Sequence, residues 1–134
     1  MAITIYAYSK AKDGNKSLSK NFKVREFACH DGSDPIFIAP ELVEVLQEIR
    51  DHFGKPVNIN SAFRTASHNS KPSVGGAAQS QHLYGTAADI SIAGVSPKDI
   101  AKFAETIMPQ MGGIGTYDTF VHVDVRSTKS RWKG

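Results

Sequence analysis

Cysteine occurs once in this chain, at Cys29, which excludes an internal disulfide and any zinc site built from several thiolates. Placed just after Phe27-Ala28, it reads as a small buried hydrophobe. No apolar run approaches the ~18–20 residues that cross a membrane, so no membrane insertion is expected. The N-terminus lacks the basic, then apolar, then small-residue order of a secretory leader, which points to synthesis in the cytoplasm. A dominant charge is missing too: 16 Lys and Arg stand against 13 Asp and Glu, a formal balance of +3. The excess gathers near the ends, at residues such as Lys10, Lys12, Lys129 and Lys133, as a solvated surface. These cations are not interleaved with the aromatics that make base-stacking platforms, so nucleic acid is not an expected partner. In the loop His30 to Pro35, Asp31, Ser33 and His30 suggest a metal loop, but the spacing lacks the later Glu of a calcium hand and the stretch reads as a plain loop. No repeat or linker divides the 134 residues. The expectation is one monomeric domain over 1–134, with 1–21 as an extended or partly mobile N-terminal arm.

What is present begins with a helix. Leu42, Val45, Leu46, Ile49 and Phe53 recur at three- and four-residue intervals, with Pro40 suited to a first turn and Gly54 to a C-terminal exit. A second helix is predicted from Ser96-Pro97-Lys98-Asp99, a serine cap with an acid three residues on, carrying Ile100, Phe103, Ala104 and Ile107 as its apolar stripe. Strands are predicted at Val57 to Phe63, Asp89 to Ile92 and Thr119 to Val125. Between the first two runs a long loop, Thr65 to Gln81, and loops of that length in compact domains tend to be functional. Gly112-Gly113-Ile114-Gly115 reads as a flexible connector, and Trp132 is expected to pack back onto the domain. The mixed order of helix and strand implies an α+β fold, a small and mainly antiparallel sheet with helices packed on one side.

Period-two alternation exposes the chemistry. Val121, Val123 and Val125 share one face of the last predicted strand; Phe120, His122, Asp124 and Arg126 share the other. In the earlier strand Ala88, Ile90 and Ile92 oppose Asp89 and Ser91. If the two strands are neighbours, Asp89 meets His122 on the polar side, and the turn through Gly85 brings His82 over both. Two imidazoles and a carboxylate with an open fourth position make up a common catalytic zinc site. Such a site activates water and polarises a carbonyl. The accompanying proton acceptor is expected at Asp124, with Asp118 as runner-up; the other role open to Asp124 is to orient a ligand or pair with Arg126. Arg64 is placed to clamp a substrate carboxylate or a developing oxyanion.

These residues carry a resemblance. Ser61-Ala-Phe-Arg64, His68-Asn69, Val74-Gly75-Gly76, Ser80-Gln81-His82-Leu-Tyr-Gly85-Thr-Ala-Ala-Asp89, Gly112-Gly-Ile-Gly115 and Phe120-Val-His122-Val-Asp124 resemble the M15 zinc peptidases in order and spacing over roughly residues 22 to 126. The closest likeness is to the D-alanyl-D-alanine carboxypeptidase branch, which includes many phage wall-lytic enzymes. The resemblance implies the fold shared with the hedgehog signalling domain, and one zinc ion (Zn2+) on residues matching His82, Asp89 and His122. It also implies substrate contact through Arg64, with Ser80 and Gln81 beside it. The implied function is hydrolysis of peptidoglycan stem peptides, as a D,D-carboxypeptidase or endopeptidase acting on the cell wall after release or as part of a phage particle. Several family members carry an acid three residues before the last zinc histidine. Here Thr119 stands there, and the acid lies downstream at Asp124. Two rival readings remain, a zinc-containing binding module of the same fold without turnover and a cytoplasmic dipeptidase.

Overall fold

The structure, a computed structural model, describes residues 4–71 and 80–134. From the N-terminus, strand β1 (Tyr6–Ser9), a one-turn helix α1 (Lys10–Asp13) and strand β2 (Ser17–Ser19) lead into β3 (Phe22–Lys23) and a 3-10 turn over Val24–Phe27. Strand β4 (Pro35–Ile38) buries Ile36 and Ile38 in the core and pairs antiparallel with β1. The N-terminal arm is therefore bound to the domain from Tyr6 onward. Asp34 fastens the junction, accepting from Ser9 Oγ at 2.7 Å and from the Ala11 amide at 2.8 Å.

The predicted first helix forms as α2 (Pro40–Phe53), with Leu42, Val45, Leu46 and Ile49 buried. Gly54 closes it at φ 63°, its amide donating to the Arg50 carbonyl at 2.9 Å, a left-handed exit that a side chain would resist. Strand β5 (Asn58–Ser61) follows, then a one-turn helix α3 (Ala66–Asn69) inside what the sequence reads as loop. Thr65 caps that turn, its hydroxyl accepting from the His68 amide at 3.1 Å. Residues 72–79, including Val74-Gly75-Gly76, lie outside the described residues.

A 3-10 turn over Gln81–Tyr84 precedes β6 (Ala87–Ser91). Helix α4 (Pro97–Ile107) starts at the predicted cap, Ser96 accepting from the Asp99 amide. The chain ends in β7 (Gly113–Thr116), β8 (Val121–Asp124) and β9 (Ser130–Lys133). Strands β5, β6, β8, β7 and β9 form one sheet in that order, antiparallel except for the parallel β7–β9 pair. The fold is α+β with mainly antiparallel pairing, as expected.

The glycine-rich connector is corrected: Gly113 to Thr116 is an inner strand of the sheet. Its glycines are there for space. A Cβ on Gly113 would lie 2.2 Å from Asp124 Oδ2, and one on Gly115 would lie 2.4 Å from the Trp132 indole. One face of the sheet supplies Ala88, Ile90, Val121 and Val123 to the core, together with Leu42, Leu46 and Ile49 of α2 and Ile100 of α4. Burying each of the larger of these stabilises the fold by about 1.5–3 kcal/mol. The opposite face is left for polar groups.

Candidate metal centre

The antiparallel β6–β8 ladder sets Asp89 directly opposite His122, so both side chains leave the sheet on the same face. His82 comes from the turn before β6. Ser80 Oγ accepts from the His82 amide at 3.2 Å, and Gly85 reverses the chain at φ 74°. A side chain at Gly85 is blocked as well, because its Cβ would meet the Phe37 carbonyl at 2.1 Å. The turn is thereby held over the strand ends, and His82, Asp89 and His122 converge with ligand atoms all within 4.8 Å of one another.

Hydrogen bonds assign the ring nitrogens. His82 Nδ1 lies 2.6 Å from the Ala62 carbonyl, which only accepts, so Nδ1 carries the proton and Nε2 offers its lone pair. That Nε2 is 3.3 Å from Asp89 Oδ2. His122 presents Nδ1 to Asp89 Oδ1 at 3.1 Å and turns Nε2 toward Asp124 Oδ2 at 2.8 Å. Each imidazole thus has an outer nitrogen held by a fixed acceptor and an inner nitrogen directed at Asp89, the arrangement that orients metal-binding histidines. Tetrahedral zinc with bonds of about 2.0–2.2 Å separates its donors by about 3.3–3.6 Å, close to the spacing already present. The residues fit such an ion.

Electrostatics agree with that fit. Burial alone would raise the pKa of Asp89, yet the His122 and His82 rings beside it outweigh burial and hold the carboxyl far below its usual range. Burial disfavours the charged form of His122, but bonds to Asp124 and Asp89 reverse the balance and raise its pKa above 6.5. Two carboxylates flank this ring, so without a metal it stays protonated to higher pH than a free imidazole.

Arg64, the predicted clamp, reaches the same place. Its Nη2 donates to Asp89 Oδ2 at 3.3 Å, Nε to Ser61 Oγ at 3.1 Å and Nη1 to Asn69 Oδ1 at 3.3 Å, while its backbone amide donates to the His82 carbonyl at 3.0 Å. Ser80 and Gln81 lie at the edge of the site, but their polar atoms serve the turn. Ser80 caps His82, and Gln81 Oε1 accepts from Thr86 Oγ1 at 2.9 Å.

Asp124 is wholly enclosed, at 0% exposure. Besides His122 it accepts from the Gly113 amide at 2.9 Å, the Arg126 amide at 3.1 Å, Arg126 Nε at 2.8 Å and Arg126 Nη2 at 2.7 Å. A group that takes a proton from water must be reached by that water, and these contacts do not suit the base role expected of Asp124. Its pKa, raised by burial, is brought below the usual range by His122 and Arg126, so it remains an anion that attracts the outer His122 proton. Asp118 is exposed on the β7–β8 connection and lines a cavity with Lys98, Ala101 and Trp132, apart from His82, Asp89 and His122. The sequence reading missed the Ala62 carbonyl and the seat made by Gly113; Trp132 packs back onto the domain as expected, and does so beside His122, with ring centroids 5.1 Å apart.

Comparison with known proteins follows the same residues. The sequence model of the family described as Peptidase M15 matches residues 17–124, a span that contains all three converging side chains. A curated relative, the "Probable peptidoglycan L,D-endopeptidase MepK" of Haemophilus influenzae, is 33% identical over 103 residues, covering 71% of this chain and 54% of the relative. The chain spans about half the length of that relative. With the family pattern matched over most of its length, the chain belongs to the peptidase M15 family.

Proposed function

We propose that this protein is a zinc metallopeptidase that hydrolyses peptide bonds in bacterial peptidoglycan. The observation that carries the reading is the convergence of His82 Nε2, Asp89 and His122 Nδ1, each imidazole locked by a partner on its far side. The peptidoglycan endopeptidase named among its relatives supports the substrate class and favours cleavage of an internal bond over removal of a terminal residue.

Bound by these three groups, zinc would supply Lewis acidity toward a scissile carbonyl and lower the pKa of a water to about 7. The remaining work falls to the chain. Arg64 points its guanidinium into the site from the segment after β5, fixed by Ser61 and Asn69, and steadies a substrate carboxylate or the oxygen on which charge develops. Asp124 is a positioning residue in this reading: it holds the His122 tautomer and ring plane, and Arg126 keeps it ionised. Trp132 packs beside His122, ring centroids 5.1 Å apart. Hydrolysis then takes place at the cell wall, where the stem peptides are.

Metal analysis paired with product analysis on purified sacculi tests this. The wild type should hold zinc and release muropeptide fragments, and His122→Ala and Asp89→Ala should lose one equivalent of zinc together with that release. A zinc-loaded wild type that releases nothing from sacculi or stem peptides would favour a binding module of the same fold. Cleavage of free dipeptides alone would favour a dipeptidase.

A further inference from the structure

A second cluster of metal-ligating groups lies outside the centre described above. The Cys29 sulfur, a carboxylate oxygen of Asp31 and a ring nitrogen of His68 all lie within 4.8 Å of one another. Cys29 follows the 3-10 turn Val24–Phe27, Asp31 sits two residues on, and His68 belongs to the one-turn helix α3. The loop that the sequence alone reads as plain is thus joined by a histidine distant in sequence.

We propose that Cys29, Asp31 and His68 form a second metal site, selective for zinc-like divalent ions, that fastens the Arg64–Asn69 segment to the loop after Phe27.

The donor set defines the ion class. A thiolate, an imidazole and one carboxylate suit late first-row divalent metals and discriminate against magnesium and calcium, which take oxygen ligands. Each donor is prepared for the task. Cys29 is 2% exposed, with its sulfur within 4.8 Å of an Asp31 carboxylate oxygen. Asp31 is held in place by the Ser33 amide at 2.9 Å and the Thr65 hydroxyl at 2.8 Å. These hydrogen bonds, led by those from Ser33, bring its pKa below the usual range, so it stands as an anion, and its exposure gives an ion a way in. His68 Nδ1 is buried and has no hydrogen-bond partner among the described residues. An orphaned buried nitrogen is costly, and a metal on the ring or a proton relay to one relieves it. Zinc bonds of about 2.0–2.3 Å require donors about 3.3–3.8 Å apart, a separation within the span of this cluster.

Binding is balanced as a metal-for-proton exchange. The divalent ion forms a bond to Cys29 sulfur, the thiol S–H bond breaks heterolytically, and the proton leaves to solvent, with no change of oxidation state. The consequence is mechanical. Phe63 already donates its amide to the Phe27 carbonyl, and Thr65 already reaches Asp31. A metal between Cys29, Asp31 and His68 adds a third tie on either side of Arg64, whose guanidinium is in turn bonded to Asn69 of the same helix.

Cobalt(II) is the probe, because only a thiolate ligand gives an intense near-ultraviolet sulfur-to-cobalt band, and the His82–Asp89–His122 centre has no sulfur. Titrating the reduced, metal-free full chain with cobalt should produce that band and a total of two equivalents bound. The band should survive in His82→Ala, which disables the other centre, and vanish in Cys29→Ser and His68→Ala, each retaining one equivalent. His68→Ala guards against misfolding of the buried Cys29→Ser variant. A wild type with one equivalent and no sulfur band overturns the proposal, as does a band that persists in His68→Ala. Neither outcome touches the reading of the first centre, whose cobalt is counted separately.

Discussion

His122 stands opposite Asp89 across two antiparallel strands, its Nδ1 3.1 Å from one carboxylate oxygen, while its Nε2 lies 2.8 Å from Asp124. One ring therefore joins a carboxylate on the metal side to a carboxylate in the interior. The two acids have different work, and they separate under mutation.

Asp124→Asn should keep the ring's neighbour in shape while removing the charge that holds the outer proton. Zinc affinity is expected to fall by about 10–100-fold, with activity restored in part by excess zinc. Competition with a chromogenic chelator measures the affinity. Unchanged affinity with activity abolished at saturating zinc would return Asp124 to the proton-acceptor role.

Gly113→Ala places a Cβ 2.2 Å from Asp124 Oδ2 and 2.7 Å from its Cγ, in the middle of a paired strand. A loss of about 1–3 kcal/mol in stability is expected from such overpacking, with weaker zinc binding as Asp124 shifts. Urea denaturation gives the first quantity. A stable variant with unaltered zinc affinity would mean that the acid is free to move.

Helices α2 and α4 were legible because their apolar residues recur at helical spacing and their ends carry Pro, Ser and Gly in the positions that stop or start a helix. The meeting of Asp89 and His122 was legible through alternation: valines on one side of the last motif fix the side on which His122 and Asp124 leave. Strand β7 was not, since a run of glycines signals a loop when read locally. Only the bulk of Asp124 and Trp132, packed over it from other strands, explains why glycine is needed there. Pairing of Asp124 with Arg126 was one of the roles the sequence left open, but its full enclosure was not, because the Gly113 amide that completes it comes from another strand. Ala62 contributes a backbone carbonyl, which no side-chain pattern records.

Acidity should act on the metal-free and metal-loaded protein in opposite senses. In the metal-free chain the His122 pKa is raised above 6.5, so its contribution to stability is fully present below about 6.5 and is lost as pH rises through the folded value. Zinc needs the Nδ1 lone pair, so affinity, and with it the stability of the loaded protein, increases across the same interval. Urea midpoints between about pH 6 and pH 8.5 should fall for chelated protein and rise for loaded protein. Parallel trends would remove His122 from the ligand set.

Arg64→Ala should retain zinc yet lower kcat/KM on a stem peptide by about 10²–10³-fold, the scale seen when a donor to developing charge is removed. Arg64→Lys should rescue little, because a point charge cannot satisfy Ser61, Asn69 and Asp89 together as the guanidinium does. Metal content measured beside the kinetics separates this from loss of the ion. A zinc-free Arg64→Ala protein would make Arg64 a support for Asp89 alone.

The most direct test of the central claim is a zinc titration of chelated protein, followed by the release of soluble fragments from sacculi. Release should be absent without metal and climb to a plateau as the His82–Asp89–His122 site fills, with no response in His82→Ala. Full release from the metal-free chain, or silence at every zinc concentration, would contradict it.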